Sequence, residues 1–446
     1  MRYSNALHYL SSFINFERIP FEYRRELNLK RMEKLLSWFG HPQTLFPSVL
    51  VAGTKGKGST AHFLSSILSA NGYKTGLYTS PHLIDPRERI RVGRKAISKT
   101  DFALIVRNIR SVLEKKQKEI SKIGPVTFFE IFTLAAILYF AYAKVEIAVF
   151  EVGMGGRLDA TNVLHPLVSV ITSISYDHEE HLGHTLTSIA SEKAAIIKPK
   201  SLVVCARQEK EAAAVLQKKV IQSKAKAYWY GRDFFSVREK ISPLGNRFDF
   251  KIDHQRWQNF QTQMAGTYQI QNASVALQTA GILENHFVFP LTKNRIREGL
   301  KNAFWPGRFE RVKRFGRTWI VDGAHNGASM AETVKTLNRI YGKHPFTVIL
   351  GTSREKKIKD LLIPLAALNP LLILTKSTNP RAMEPKLMLE AASSLGFKRP
   401  TMIYPDLDDA IKIASQITDK NDILLVTGSL FLVGEAREKL KCPKFV

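Results

Sequence analysis

The stretch Ser48-Val-Leu-Val-Ala-Gly-Thr-Lys-Gly-Lys-Gly-Ser-Thr60 decides the fold. Its first five residues are a short β-prone run, glycines crowd the next seven, and an apolar helical pattern runs from Ala61 to Ala70. Strand, loop and helix in that order open a parallel α/β sheet. Glycines let a backbone wrap phosphate oxygens with N–H groups, and the start of the following helix favours anions. Gly53, Thr54, Gly56, Gly58 and Ser59 therefore form a candidate phosphate cradle. Lys57 can reach the β- and γ-phosphates, and Ser59 or Thr60 can face Mg²⁺. The spacing departs from G-x-x-x-x-G-K-[ST], because the first glycine sits too close and Gly58 follows the lysine. A flexible glycine turn is the bland alternative.

The same alternation extends outward in both directions. Upstream, Leu29, Met32, Leu35, Leu36 and Phe39 fall at helical spacing within 27–39. Downstream, helix 128–143 leads to strand 145–151, strand 167–174 to helix 187–198, and 201–206 gives another strand. A Pro-Gly break at Phe304-Trp-Pro-Gly-Arg308 follows. Strands 318–322, 346–350, 371–375 and 422–427, with helix 328–340, then make a second set. The expectation is an α/β protein: a P-loop-containing central domain over 1–303 and a smaller Rossmann-like domain over 304–446. Ligands belong in the cleft between them, at the carboxyl ends of the strands.

Composition narrows the functional classes. The 446 residues are 44% hydrophobic, enough for two or three domain cores. Cys205 and Cys442 match no metal or disulfide spacing, which fits a reducing compartment. The apolar run Ile131–Ala143 falls short of the ~20 residues that cross a bilayer, and MRYSNALHYL has no secretory pattern. A cytoplasmic protein, expected to be a monomer without a membrane partner, follows. The formal net charge of +27 is spread along the chain without a basic tail or an RNA-binding aromatic motif. No nucleic-acid partner is expected. A basic P-loop switch that binds nucleic acid remains the alternative from another class.

Glu151 closes an apolar run, where a carboxylate needs a partner. It suits Mg²⁺, which takes one or two carboxylates beside phosphates and water, or it is an ordinary sheet-end acid. The glycines of 153–156 admit a ligand to the backbone, and Arg157, Asp159 and Asn162 would then face substrate. His178, His181 and His184 do not make a zinc site, since three-residue steps drift off one helical face and no cysteine is near.

The glycine spacing, and nine further segments in sequence order, resemble the Mur ligase superfamily, specifically the folylpolyglutamate and dihydrofolate synthases. The segments are Thr79-Ser-Pro-His-Leu83, Thr127-Phe-Phe-Glu130, Phe150-Glu-Val-Gly-Met-Gly-Gly-Arg-Leu-Asp-Ala-Thr-Asn162, Ser175-Tyr-Asp-His178, Ser191-Glu-Lys193, Gln271-Asn-Ala273, Trp305-Pro-Gly-Arg-Phe-Glu310, Asp322-Gly-Ala-His-Asn326 and Val426-Thr-Gly-Ser429. The resemblance implies two Mg²⁺ sites, with Ser80 and Glu151 at the first, His178 at the second, and Lys193 as a carbamylated lysine. It implies ATP contacts from Asn272, Arg308 and Asp322. Substrate contacts are implied from Thr127, Phe129, Glu130, Leu158 and Asp159, with His325 either there or structural. Leu27-Asn-Leu-Lys-Arg31 resembles the family's dihydropteroate-binding segment, which would bring Arg31 to substrate, or is simply the start of an amphipathic helix. Two departures stand out: Lys55, where the family often has Asn, and Glu355-Lys-Lys357, where it has Asp-Lys-Asp. The implied activity is ATP-dependent joining of L-glutamate to dihydropteroate, to folates, or to folates alone, through an acyl phosphate. Cell-wall ligases carry a further domain before the cradle, for which the 52 residues preceding Gly53 are too few.

Overall fold

The computed structural model describes residues 1–17, 19, 23–342 and 344–443. Its first sheet comprises β1 (Ser48–Ala52), β2 (Thr75–Tyr78), β3 (Ile90–Val92), β4 (Lys95–Ala96), β5 (Ile147–Glu151), β6 (Val168–Ile171), β7 (Leu202–Cys205) and β8 (Lys226–Trp229). The strand order is β4-β3-β2-β5-β1-β6-β7-β8, parallel except for β3 and β4 at one edge. Strand β1 is buried along its whole length, as parallel strands covered on both faces must be. Leu50 and Ala52 enter a core with Phe132, Phe140 and Phe150. Val49 and Val51 enter another with Phe63, Ile67 and Val275. Helix Phe128–Tyr142, apolar on nearly every side, is buried in the first core and is not a membrane segment. Among the described residues no helix is long and apolar enough to cross a membrane.

Register decides where chemistry can happen. Val51 pairs with Glu151 and Ala52 with Ile171, so the glycine loop, Glu151 and the segment after β6 leave the sheet side by side. Several element ends differ from the sequence reading, each for a hydrogen-bonding reason. Strand β6 stops at Ile171 because the Ser173 carbonyl accepts from the Thr54 and Lys55 N–H groups at 3.0 and 3.1 Å. Helix Leu186–Ala194 ends early, with the Glu192 carbonyl accepting from Arg157 N–H at 3.0 Å. The helix after the loop starts at Lys57 rather than Ala61, which puts Lys57, Ser59 and Thr60 in its first turn.

Between the two main sheets in chain order comes an antiparallel one with no counterpart in the sequence reading: β9 (Phe234–Ser242), β10 (Gly245–Ile252) and β11 (Gln255–Thr262). Phe234, Phe248, Phe250 and Phe260 face inward, while charged residues and two register shifts interrupt the alternation. The second main sheet holds β12 (Glu310–Arg314), β13 (Arg317–Val321), β14 (Phe346–Leu350), β15 (Leu371–Leu374), β16 (Thr401–Ile403) and β17 (Ile423–Thr427), in the order β12-β13-β17-β14-β15-β16. It has cores of its own, around Phe346, Val348 and Leu350 on one face and Trp319, Ile349 and Ile373 on the other. The turn that leads into it is clamped by Glu310, which accepts from Gly307 N–H at 2.8 Å and from buried Arg437 at 2.6 Å.

Candidate active site

A cavity of about 880 Å³ lies between the carboxyl ends of the first sheet and the second, near the upper end of the range for small-molecule sites. Its floor is the glycine loop. Gly53 has φ +146°, and a Cβ there would sit 1.9 Å from Thr172 Oγ1. Gly56, at φ +83°, leaves no room for one against Asn272. Thr54 Oγ1 donates to the Ser175 carbonyl at 3.0 Å and accepts from its N–H at 3.1 Å, tying the loop to the segment after β6. Lys57 Nζ stands 3.4 Å from the Thr54 carbonyl. Thr60 Oγ1 is buried with no hydrogen-bond partner among the described residues.

Charges beside the loop are tuned by burial. Glu151 accepts one N–H bond, from Ser80 at 3.2 Å. Burial pushes its carboxyl up and the nearby Lys57 charge opposes this. The His178 imidazole is held down to about 3, chiefly by burial, so the ring is neutral at pH 7 with a lone pair available. Lys193 donates to the Gly53 carbonyl at 2.9 Å; burial first, then the Lys57 charge, push it down to about 7. This lysine is only 4% exposed. Glu192 points elsewhere, to Arg157 at 2.9 Å and Tyr23 at 3.2 Å.

The far end of the cavity is less polar, lined by Leu27, Phe129, Met154 and Leu158. Thr127 and Glu130 form a reciprocal cap at the start of helix Phe128–Tyr142. Glu130 also takes the Arg31 guanidinium at 2.8 Å. Asp159 accepts from Met154 N–H and Thr161 N–H, each at 3.0 Å, and so holds the 153–161 loop in shape.

The second domain supplies Arg308, Asp322 and His325. Asp322 accepts from Phe309 N–H and Thr333 Oγ1, each at 2.8 Å; burial raises its pKa, and Arg308 is among the groups that oppose the rise. His325 Nδ1 lies 2.8 Å from the Gly323 carbonyl.

Most of the expected residues line one cavity: Thr54, Gly56, Lys57, Gly58, Ser59, Ser80, Thr127, Phe129, Glu130, Glu151, Leu158, Asp159, His178, Asn272, Arg308, Asp322 and His325. Gly53, Thr60, Lys193, Arg31 and Asn162 are buried behind that wall, and Arg157 is exposed outside it. Arg31 and Arg157, expected at substrate, spend their guanidinium groups on Glu130 and Glu192, and Asn162 accepts from Lys198 at 2.8 Å. Sequence reasoning missed Glu17, bound by fully buried Arg89, and Asp177. The Asp177 carboxylate would be raised by burial, yet the facing His178 and Lys356 hold it well below its usual range. Asp177 sits inside a quoted motif, whereas nothing local marks Glu17. The anomalous Glu355-Lys-Lys357 segment also finds partners: Glu355 pairs with Arg381 at 3.2 Å, Lys356 with Asp177 at 3.4 Å and Lys357 with Glu179 at 3.8 Å.

A glycine cradle, a buried carboxylate at its flank and a second α/β domain closing the cleft define an ATP-dependent ligase of the Mur class. Residues 105–280 match the Mur ligase middle domain and residues 307–430 the Mur ligase glutamate ligase domain. A dihydrofolate synthase/folylpolyglutamate synthase of Bacillus subtilis (strain 168) is 34% identical over 93% of this chain and 95% of its own. The folylpolyglutamate synthase of Thermotoga maritima superposes with a TM-score of 0.85 at 34% identity, covering 100% of this chain and 98% of its own. A folylpolyglutamate synthase solved with AMPPCP and folate gives 0.82 at 31%, covering 99% and 100%. The chain belongs to the folylpolyglutamate synthase/dihydrofolate synthase family.

Proposed function

We propose that this enzyme uses ATP to join L-glutamate both to dihydropteroate and to the glutamate tail of folates. The observation that carries the reading is a single cavity holding the phosphate cradle, the Phe129–Leu158 end and the second-domain Arg308–Asp322 wall together. ATP lies on the glycine loop, with contacts from Asn272, Arg308 and Asp322. The pterin occupies the Phe129 end, where an aromatic face suits a flat heterocycle. The substrate carboxylate attacks the γ-phosphate, ADP departs, and the glutamate amine displaces phosphate from the acyl phosphate. Lys57 neutralises charge on the transferring group. Purified protein with ATP, Mg²⁺ and glutamate should release ADP with either dihydropteroate or tetrahydrofolate. ADP with tetrahydrofolate alone would reduce the activity to chain extension.

Magnesium fits the donors present. Glu151 is a buried carboxylate with no ion pair among the described residues, and Thr60 Oγ1 is an orphaned hydroxyl beside the phosphate loop. No three acidic, histidine or cysteine side chains gather into a metal cage among the described residues, and Mg²⁺ needs none when phosphates complete its shell. Ser80 and Glu151 would hold the first ion, and neutral His178 with carbamylated Lys193 the second. Bound there, the ions would neutralise phosphate charge. A lysine amine held near 7 is neutral often enough to combine with CO₂.

The domains we assign are 1–303 and 304–446, supported by cores that remain separate apart from Ala265, Leu83 and Trp305. The substrates are small molecules, and a cytoplasmic monomer without nucleic-acid or membrane partners accounts for the dispersed charge and the two free cysteines.

A further inference from the structure

The second domain brings Arg308, Lys335, Lys356 and Arg381 to the cavity wall. Arg308 lies close enough to Asp322 and Glu151 to act on both carboxylates. Lys356 is held by Asp177, and Lys335 is exposed on its helix. Arg381 has more to give. Its Nη1 meets one Glu355 oxygen at 3.2 Å, with the side chain 30% exposed. Its Nε is shielded from water and has no hydrogen-bond partner among the described residues. The backbone beneath is fixed, since Arg381 N–H donates to Asn379 Oδ1 at 2.9 Å and the Arg381 carbonyl accepts from Arg354 N–H at 2.9 Å.

Glu17, another carboxylate that feels its charge, is already taken by both Nη atoms of Arg89 at 2.7 and 2.6 Å. A guanidinium offers five N–H donors in a rigid fork that matches a carboxylate. Among the described residues only Nη1 of the two outer nitrogens is engaged, on a wall of the cavity to which the amine substrate must bring two carboxylates.

We propose that Arg381 is a specificity-determining residue that binds a carboxylate of the incoming glutamate, with Glu355 as its counter-ion until substrate arrives. The inference rests on the ligase reading above. Folate tails carry carboxylates too, so the test separates the two sources. Full-length wild type, Arg381→Gln and Arg381→Lys are compared with glutamate, ATP, and mono- and diglutamyl tetrahydrofolate varied in turn. Arg381→Gln should raise the KM for glutamate about 10- to 100-fold, the loss of a charge-assisted bond. The KM values for ATP and both folates should stay within about 2-fold. Arg381→Lys should recover part of the loss, and discrimination against glutamine should weaken in Arg381→Gln.

A KM for glutamate that does not move overturns the proposal. So does an equal loss toward ATP, which would make Arg381 a support of the domain junction, or a loss confined to the folates, which would give the fork to the tail. Calorimetric titration of glutamate into protein loaded with AMPPCP repeats the comparison without turnover. Wild type that binds glutamate through Arg381 yet never releases ADP would sink the ligase reading and leave this one standing.

Discussion

Lys57 and Lys193 lie close enough for one positive charge to disfavour the other, and their fates differ. Lys57 is the one we assign to the phosphates. Lys57→Ala should lower ADP release by ~10²–10³ with an unchanged circular dichroism spectrum; turnover near the wild-type rate would put the phosphates elsewhere. Lys193 carries a stability signature. The unfolded chain holds this proton up to about 10.5, the folded chain only to about 7. Between those values the unfolded state binds more protons, so stability rises with pH by about 1.4 kcal/mol per unit, and the rise stops below 7. In CO₂-free buffer, urea melts of Lys193→Met should lack that rise; equal slopes would mean that Lys193 stays charged. Lys193→Ala should lose most activity and regain part of it with a short-chain carboxylic acid. The cradle and Glu151 were legible because their chemistry lies within a few consecutive residues. Burial of Lys193 was not, since its partner Gly53 is 140 positions away. Arg89 and Glu17 likewise meet across 72 positions.

At the scale of elements, two loops face each other: 175–180 after β6 and 353–357 after β14. Asp177 takes Lys356 and also accepts from Asn326 Nδ2 at 3.3 Å, while Lys357 meets Glu179. The sequence flagged Lys357 as a reversed charge but not the acid that answers it, because pairing across loops leaves no periodic trace. Lys357 is 75% exposed, so its pair is worth well under about 1 kcal/mol. Lys357→Glu should cost kcat/KM only ~2- to 5-fold, and adding Glu179→Lys should restore it; a double variant no better than the single would show that the two do not communicate. The parallel strands were legible as apolar runs between glycine turns. The sheet β9–β11 was not, because its register shifts break the two-residue period.

For the whole molecule, the sequence order of motifs set out two α/β halves, and the Pro-Gly break at Phe304–Arg308 is where we propose that they join. What it could not give was the closeness of the two halves around one cavity, which depends on how the second sheet sits on the first. The cores stay almost entirely within their own half, and the cavity is lined from both. Seen in a calorimeter, such a molecule is two melting units joined by a ligand. Without nucleotide, heating should give two overlapping endotherms, with a van't Hoff enthalpy below the calorimetric one. A nucleotide that touches both halves stabilises only the state in which they are together, by about 2.7 kcal/mol at a hundred times its Kd. AMPPCP should therefore draw the two endotherms into one, and a nucleotide that raises only the first would mean that its site belongs to a single half.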